Sequence, residues 1–152
     1  MSSNMSDEKY RVLVLCTGNS ARSQMAEGLI NARSGDQWIA QSAGTRPIGW
    51  VHPEAIAALR EIGIDLSQHR SKSIGEFSGQ EFDVVITVCD DAAQNCPVWL
   101  GRGRRVHIGF PDPAAAPPDQ KAAEFRAVRD AMQTQVLGYL NQWQSQSNGR
   151  IR

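Results

Sequence analysis

Residues 10–23, YRVLVLCTGNSARS, are the most informative stretch of the sequence. They open with the apolar run 12–15, whose length and β-branched content are typical of a buried strand. The run ends abruptly in the polar residues 16–23, after which apolar residues return with helical spacing. The stretch therefore predicts a strand, a tight polar loop and the start of a helix.

The polar loop predicts an anion site with a reactive cysteine. Backbone N–H groups at such a loop and helix N-terminus favour an anion, and Gly18 and Asn19 accept the left-handed backbone that this cradle needs. Cys16 would lie beneath it, where the helix N-terminus and Arg22 favour a thiolate and the Ser23 hydroxyl can donate to the sulfur. The Arg22 guanidinium matches a tetrahedral oxyanion, whereas a buried structural cysteine beside a surface arginine is the alternative. The predicted oxyanion-binding residues are Thr17, Gly18, Asn19, Ser20, Ala21 and Arg22.

The length of 152 residues predicts a single domain, over residues 10–145, which the Cys16 loop marks as catalytic; we expect a disordered leader at 1–9 and a frayed tail at 146–152. Sixteen basic and sixteen acidic residues cancel, which argues against nucleic-acid and membrane partners. No apolar run reaches membrane-spanning length, so we expect a cytoplasmic protein. The three cysteines and three histidines lack the spacing of metal ligands, so we expect no metal site.

The rest of the chain alternates strands with helices, which predicts an α/β doubly wound sandwich of three layers. The expected four-stranded parallel sheet has the order 2-1-3-4, with helices on both sides. Strands one and three would be neighbours, which places Cys16 and Cys89 at the same rim. The other predicted strands are 38–42, 82–88 and 104–108, and the predicted helices are 23–32, 52–63, a short segment reaching 95 and one from about 119.

Cys89 and Cys96 suggest a thiol relay. If the seven-residue step between them is helical, the two lie about 10 Å apart on one face. A disulfide needs Cα atoms within ~7 Å, so pairing requires that this segment unwind. Asp90 and Asp91 are mediocre helix formers and Pro97 prevents extension, which permits unwinding. Two inert cysteines are the alternative.

Asp112 is the best candidate for the acid that such chemistry needs. A tetrahedral oxyanion that loses an oxygen requires a proton donor near the leaving group. Asp112 stands between Pro111 and Pro113 in the loop after the fourth strand, where a catalytic carboxylate would reach the carboxyl rim of the sheet. An Asp-Pro turn is the alternative explanation.

The segments CTGNSARSQMAEG (16–28), SAG (42–44), NCP (95–97) and HIGFPDPA (107–114) resemble the thioredoxin-coupled arsenate reductases. These are cytosolic enzymes built on the low-molecular-weight protein tyrosine phosphatase fold. The spacing of Cys89 and Cys96 is the specific part, because ordinary phosphatases of this fold resemble the chain only at the Cys16 loop and the Asp-Pro loop.

The resemblance implies that Cys16 attacks arsenate, Asp112 protonates the departing oxygen and Cys89 then attacks the Cys16 sulfur as arsenite leaves. Cys96 would carry the disulfide outward to thioredoxin, or to glutaredoxin with glutathione. Phosphate or sulfate would mimic arsenate, and no bound cofactor is implied.

Two departures from the resemblance stand out. Ala21 occupies a position where some relatives have another cysteine. Some relatives also bind potassium through an Asn, a Glu, a Ser and an Asp; Asn19, Glu27 and Ser42 match, but the fourth position falls on Lys72. We expect its ammonium group to replace the cation and pair with Glu27.

Two other functions compete with arsenate reduction. A phosphatase acting on phosphotyrosine or small phosphomonoesters would use Cys16 and leave Cys89 structural. Ala114 follows the Asp-Pro pair where phosphatases of this fold usually have an aromatic residue, although Trp50 could supply a ring from another loop. A non-catalytic anion-binding or redox-sensing module is the third possibility, and the intact Cys16, Arg22 and Asp112 argue against it.

Overall fold

Strands and helices alternate along residues 8–95 and 103–148, which the computed structural model describes. Cys96 and the rest of the segment 96–102 lie outside the described residues, as do residues 1–7 of the predicted leader and 149–152 of the predicted tail. The elements are β1 (Tyr10–Cys16), α1 (Arg22–Arg33), β2 (Trp38–Gly44), α2 (Pro53–Arg60), β3 (Val84–Thr87), α3 (Asp90–Gln94), β4 (Arg104–His107) and α4 (Lys121–Asn148), with 3-10 turns at Ile74–Phe77 and Pro113–Ala115.

The four strands form one parallel sheet in the order β2-β1-β3-β4, as predicted. In β1 the side chains of residues 12–15 are all fully buried. Successive side chains of a strand point to opposite faces, so both faces of the sheet are covered. The predicted α/β doubly wound fold and its strand order are therefore confirmed.

Several boundaries differ from the predicted ones. The helix predicted to run to Gly63 ends at Arg60, and Gly63 follows it with a φ of 85°. The strand predicted over 82–88 is confined to Val84–Thr87. Helix α4 continues to Asn148, inside the segment predicted to fray. No helix of the described part of the chain is long and apolar enough to cross a membrane.

An aromatic cluster fixes the end of the sheet that lies away from Cys16. The rings of Tyr10, Trp38 and Trp143 lie 5.1–5.4 Å apart, centroid to centroid. Trp38 is 1% exposed, and its indole N–H donates to the Gln144 side chain at 3.0 Å. These contacts attach the C-terminal part of α4 to the starts of β1 and β2. They leave the carboxyl ends of the strands free for the site.

His52 caps α2 and gives the fold a pH dependence. Its Nδ1 accepts a hydrogen bond from the Glu54 amide at 3.0 Å, and its ring packs on Phe125 with 4.8 Å between centroids. Burial, reinforced by nearby Lys121, lowers the pKa of His52. The folded state therefore favours the neutral His52 ring over the protonated one. The contribution of the neutral ring to the free energy of unfolding is complete above the unfolded pKa of ~6.5, and it is lost as the pH falls and the ring becomes protonated.

We expect acidification from pH 7.5 to 5 to destabilise the protein through His52 by less than about 1 kcal/mol, because the ring is only partly buried. His52→Asn keeps a side-chain acceptor at the cap and removes the titration. Urea unfolding of both proteins at the two pH values measures the difference. An equal loss of stability in wild type and variant would contradict the assignment.

Candidate active site

The loop between β1 and α1 holds Cys16 at its start. The Cys16 side chain is 3% exposed, and its sulfur lies 2.8 Å from the Ser23 hydroxyl oxygen, as expected. Asn19 has a left-handed backbone with a φ of 50°, whereas Gly18 does not, contrary to the prediction. A Cβ at Gly18 would lie 3.3 Å from the Ile48 side chain, a tight contact that a small movement of this half-exposed side chain would relieve.

Asn19 holds the loop together, a role that the sequence analysis missed. Its side-chain nitrogen donates to the hydroxyls of Ser23 at 2.8 Å and Ser42 at 3.0 Å. Its side-chain oxygen accepts from the Gln24 amide at 3.0 Å and from the Lys72 backbone N–H at 2.9 Å. A fully buried side chain thus connects the loop, α1, β2 and the segment before the first 3-10 turn.

Arg22 reaches from the start of α1 to the loop that carries Asp112. One guanidinium nitrogen donates to the Phe110 carbonyl at 3.0 Å, and another lies 3.9 Å from an Asp112 carboxylate oxygen. A cleft of about 380 Å³ opens here, lined by Arg22, Cys89, Asp90, Asp112 and residues 109–111. The structure therefore brings Arg22, Asp112 and Cys89 together as the sequence analysis predicted.

Asp112 caps a turn with one carboxylate oxygen and places the other near Arg22. Its Oδ1 accepts from the Ala114 amide at 3.0 Å and so caps the turn Pro113–Ala115. Its Oδ2 is the oxygen that lies nearest to Arg22. The side chain is 47% exposed, so this second oxygen can exchange protons with a bound ligand.

Cys89 lies at the N-terminal cap of α3, 6% exposed. Its sulfur is 3.3 Å from the hydroxyl oxygen of Thr17, and that hydroxyl also donates to Asp91 at 3.1 Å. A threonine hydroxyl has one hydrogen, so while it donates to Asp91 it accepts from the Cys89 thiol. Thr17 therefore links the Cys16 loop to α3. The sequence had predicted Thr17 only as an oxyanion-binding residue.

Lys72 occupies a polar site beneath the loop. Its ammonium nitrogen lies 3.6 Å from a Glu27 carboxylate oxygen, and the two side chains are only 11% and 14% exposed. Glu27 also accepts from the Ser42 hydroxyl. The predicted pairing of Lys72 with Glu27 is confirmed, and a potassium ion does not fit where this ammonium group already neutralises the carboxylate. Within residues 8–95 and 103–148, no group of acidic, histidine and cysteine side chains is arranged to hold a metal ion.

We therefore expect turnover and melting temperature to be nearly equal in potassium and sodium chloride, with a melting difference below about 1 °C. Lys72→Met leaves Glu27 without its cation and should cost about 2 kcal/mol of stability. Glu27→Gln in the same background should recover part of that loss, since the amide still accepts from Ser42. A large gain in activity or melting temperature with potassium would contradict the prediction.

This fold and this site define one class of protein. A parallel sheet of order 2-1-3-4 carries a buried cysteine at the end of β1 and an arginine six residues later, and that arginine and an aspartate–proline loop line one cleft. Residues 11–148 match the family described as low molecular weight phosphotyrosine protein phosphatase. The chain belongs to this family.

Within the family, the chain is similar to arsenate reductases, which confirms the predicted resemblance. The arsenate reductase of Halalkalibacterium halodurans is 47% identical over 124 residues, which cover 80% of this chain and 88% of the relative. Arsenate reductase 2 of Staphylococcus epidermidis is 42% identical over 132 residues, covering 87% and 97%. A solved structure of an arsenate reductase in the phosphate binding state superposes with a TM-score of 0.75 at 31% identity, covering 88% of this chain and 98% of that chain.

Proposed function

We propose that this protein reduces arsenate to arsenite in the cytoplasm through a relay of three thiols. The observation that carries the proposal is the position of Cys89, a second buried cysteine whose sulfur is 3.3 Å from Thr17 in the Cys16 loop. Phosphate-ester hydrolysis through Cys16 does not require a second thiol, whereas a thiol relay does. The arsenate reductases among its relatives support the same reaction.

In the first step the Cys16 thiolate attacks the arsenic atom of arsenate held by the amides of residues 17–22 and by Arg22. A sulfur–arsenic bond forms and an arsenic–oxygen bond breaks. The Asp112 carboxyl group, which faces Arg22 across the cleft, donates a proton to that oxygen, and the oxygen leaves as water. The Ser23 hydroxyl, 2.8 Å from the sulfur, stabilises the thiolate before attack.

In the second step the Cys89 thiolate attacks the Cys16 sulfur. The electron pair of the sulfur–arsenic bond stays on arsenic, which passes from As(V) to As(III) and leaves as arsenite. A Cys16–Cys89 disulfide remains, so the two thiols supply the two electrons. The Cys89 thiol first loses its proton, and a Thr17 hydroxyl that turns from Asp91 to the sulfur would stabilise the resulting anion.

In the third step the Cys96 thiolate attacks the Cys89 sulfur and releases the Cys16 thiolate for another cycle. Thioredoxin then reduces the Cys89–Cys96 disulfide with its two thiols, and glutaredoxin with glutathione is the alternative reductant. We expect helix α3, which follows Cys89, to open for this exchange, because a helix continued over the seven-residue step would hold the two Cα atoms about 10 Å apart.

Coupled turnover tests the relay. With arsenate, thioredoxin, its reductase and NADPH, wild type should consume NADPH continuously, whereas Cys89→Ser and Cys96→Ser should not. Cys96→Ser should still release one equivalent of arsenite and stop with a Cys16–Cys89 disulfide, which peptide mass spectrometry identifies. Cys89→Ser should release none. Sustained turnover by both variants would overturn the relay.

Phosphatase activity is the second candidate, because phosphate-ester hydrolysis would use the same nucleophile, Cys16, and the same pair of Arg22 and Asp112 at the cleft. Trp50 does not strengthen this candidate, since it packs beside His52, 5.8 Å between ring centroids, and does not line the cleft. A phosphotyrosine peptide assay with wild type and Cys89→Ser separates the two functions. Hydrolysis without any arsenate turnover would favour the phosphatase.

A further inference from the structure

His107 joins the ends of two strands to the helix that follows Cys89. It is the last residue of β4, and its ring nitrogen Nδ1 lies 2.8 Å from the Thr87 hydroxyl at the end of β3. Its other ring nitrogen, Nε2, lies 3.0 Å from a carboxylate oxygen of Asp90, the first residue of α3. The two contacts fall on either side of Cys89 in the chain.

The hydrogen-bond directions follow from the chemistry of the partners. A carboxylate only accepts, so His107 Nε2 carries a hydrogen and donates it to Asp90. In the neutral ring Nδ1 then accepts the hydrogen of the Thr87 hydroxyl. The ring also lies against the loop that leads to Asp112, since a Cβ at Gly109 would be 2.9 Å from His107 Nε2.

Helix α3 depends on such outside contacts. It has five residues, fewer than an isolated helix needs, and its amides make few bonds of its own, such as Ala93 to Cys89 and Asn95 to Asp91. Asp91 is bonded to Thr17, and Asp90 is bonded to His107. The two acids at the start of α3 therefore attach it to the Cys16 loop on one side and to the strand ends on the other.

We propose that His107 is a positioning residue for Cys89, holding the first turn of α3 closed and setting how readily that helix opens. The inference rests on the proposed function, because opening matters for turnover only if Cys89 passes its disulfide to Cys96. The closed helix keeps Cys89 beside Thr17 for attack on Cys16. Forming the Cys89–Cys96 disulfide then breaks the bond between His107 and Asp90.

Two measurements follow from this role. Without the bond, α3 opens more often; because the Asp90 side chain is 91% exposed, amide hydrogen exchange at Ala93 and Asn95 should be about two- to threefold faster. The Cys89–Cys96 disulfide should also form more easily, by about two- to threefold in its equilibrium constant. For a two-electron couple this is a shift of about 10 mV to more negative potential.

A double-mutant cycle on the full chain isolates the contact. The cycle compares wild type with three variants: His107→Ala, Asp90→Ala and the double variant. The two measurements are amide hydrogen exchange and the equilibrium of the Cys89–Cys96 disulfide in a thiol–disulfide buffer. We expect the second substitution to add little once the first is present. Asp90→Asn, whose side-chain oxygen still accepts from His107, should stay near wild type. Arg126→Ala is the matched control, because it removes an exposed ion pair with Glu61 between α2 and α4.

The outcomes separate the inference from the proposed function. A wild type that never forms the Cys89–Cys96 disulfide would refute the relay, while amide exchange would still test the contact. Unchanged exchange and unchanged potential in His107→Ala would overturn the positioning role. Fully additive effects of the two substitutions would also overturn the positioning role, because they indicate that His107 and Asp90 act independently. Amide exchange that rises equally in β1 and in α3 would overturn it as well, because it indicates global destabilisation.

Discussion

Replacing Cys16 with serine is expected to abolish arsenate reduction, lowering turnover by at least about 10⁴-fold. Serine leaves the loop nearly unchanged, including a hydroxyl oxygen near Ser23, but its hydroxyl has no base to activate it where the thiol forms a thiolate. Phosphate-ester hydrolysis, if present, should fall by a similar factor because it begins with the same attack. Arsenite release and hydrolysis of a phosphotyrosine peptide measure the two activities.

Oxyanion binding provides the control for this variant. The loop amides and Arg22 are retained, so calorimetric phosphate affinity should change by less than about tenfold. Lost turnover with retained binding would assign Cys16 to chemistry. Turnover above about one per cent of wild type would show that another group is the nucleophile, and lost binding would show that the substitution had collapsed the loop.

Replacing Asn19 with alanine is expected to destabilise the protein by about 3–4 kcal/mol. Four hydrogen bonds of the buried side chain disappear, and its partners Ser23, Ser42 and Gln24 lose a bond in a buried environment. Alanine also adopts the left-handed backbone of this position, a φ of 50°, at a cost of about 1 kcal/mol. Urea unfolding measures the total change.

Two further variants divide the effect of Asn19. Asn19→Gly removes the side chain but tolerates the backbone, so it should be about 1 kcal/mol more stable than Asn19→Ala. Asn19→Asp keeps an acceptor for the Lys72 amide and Gln24 but loses both donated bonds. A loss below 1 kcal/mol in Asn19→Ala would contradict the central role given to this side chain.

The fold was predictable because its determinants are local. Short stretches of sequence predict these elements. Apolar runs predict β1 and β3, and a proline in the first turn predicts the start of α2. The parallel order then follows from chain topology, and it places Cys16 and Cys89 at one rim. The position of Asp112 near this rim was predictable for the same reason, because its loop follows the carboxyl end of a strand.

The connections within the site were not predictable, because they join residues that are distant in sequence. The Thr17 hydroxyl meets Cys89 across 72 positions, and the Asn19 side chain meets the Lys72 amide across 53. No periodicity or spacing encodes such pairs; they depend on side-chain rotamers after the sheet has assembled. Asp90 illustrates the limit, since the sequence identified it only as a mediocre helix former and the structure adds His107 as its partner.

The edge position of β4 has a consequence for how copies of the protein meet in solution. Within the described residues no strand pairs with the outer side of β4, and its first two residues, Arg104 and Arg105, are exposed. An exposed strand edge invites pairing between molecules, which leads to aggregation. Positively charged side chains on a strand edge disfavour its pairing with the same edge of a second copy, so we expect Arg104 and Arg105 to oppose intermolecular sheet formation through β4.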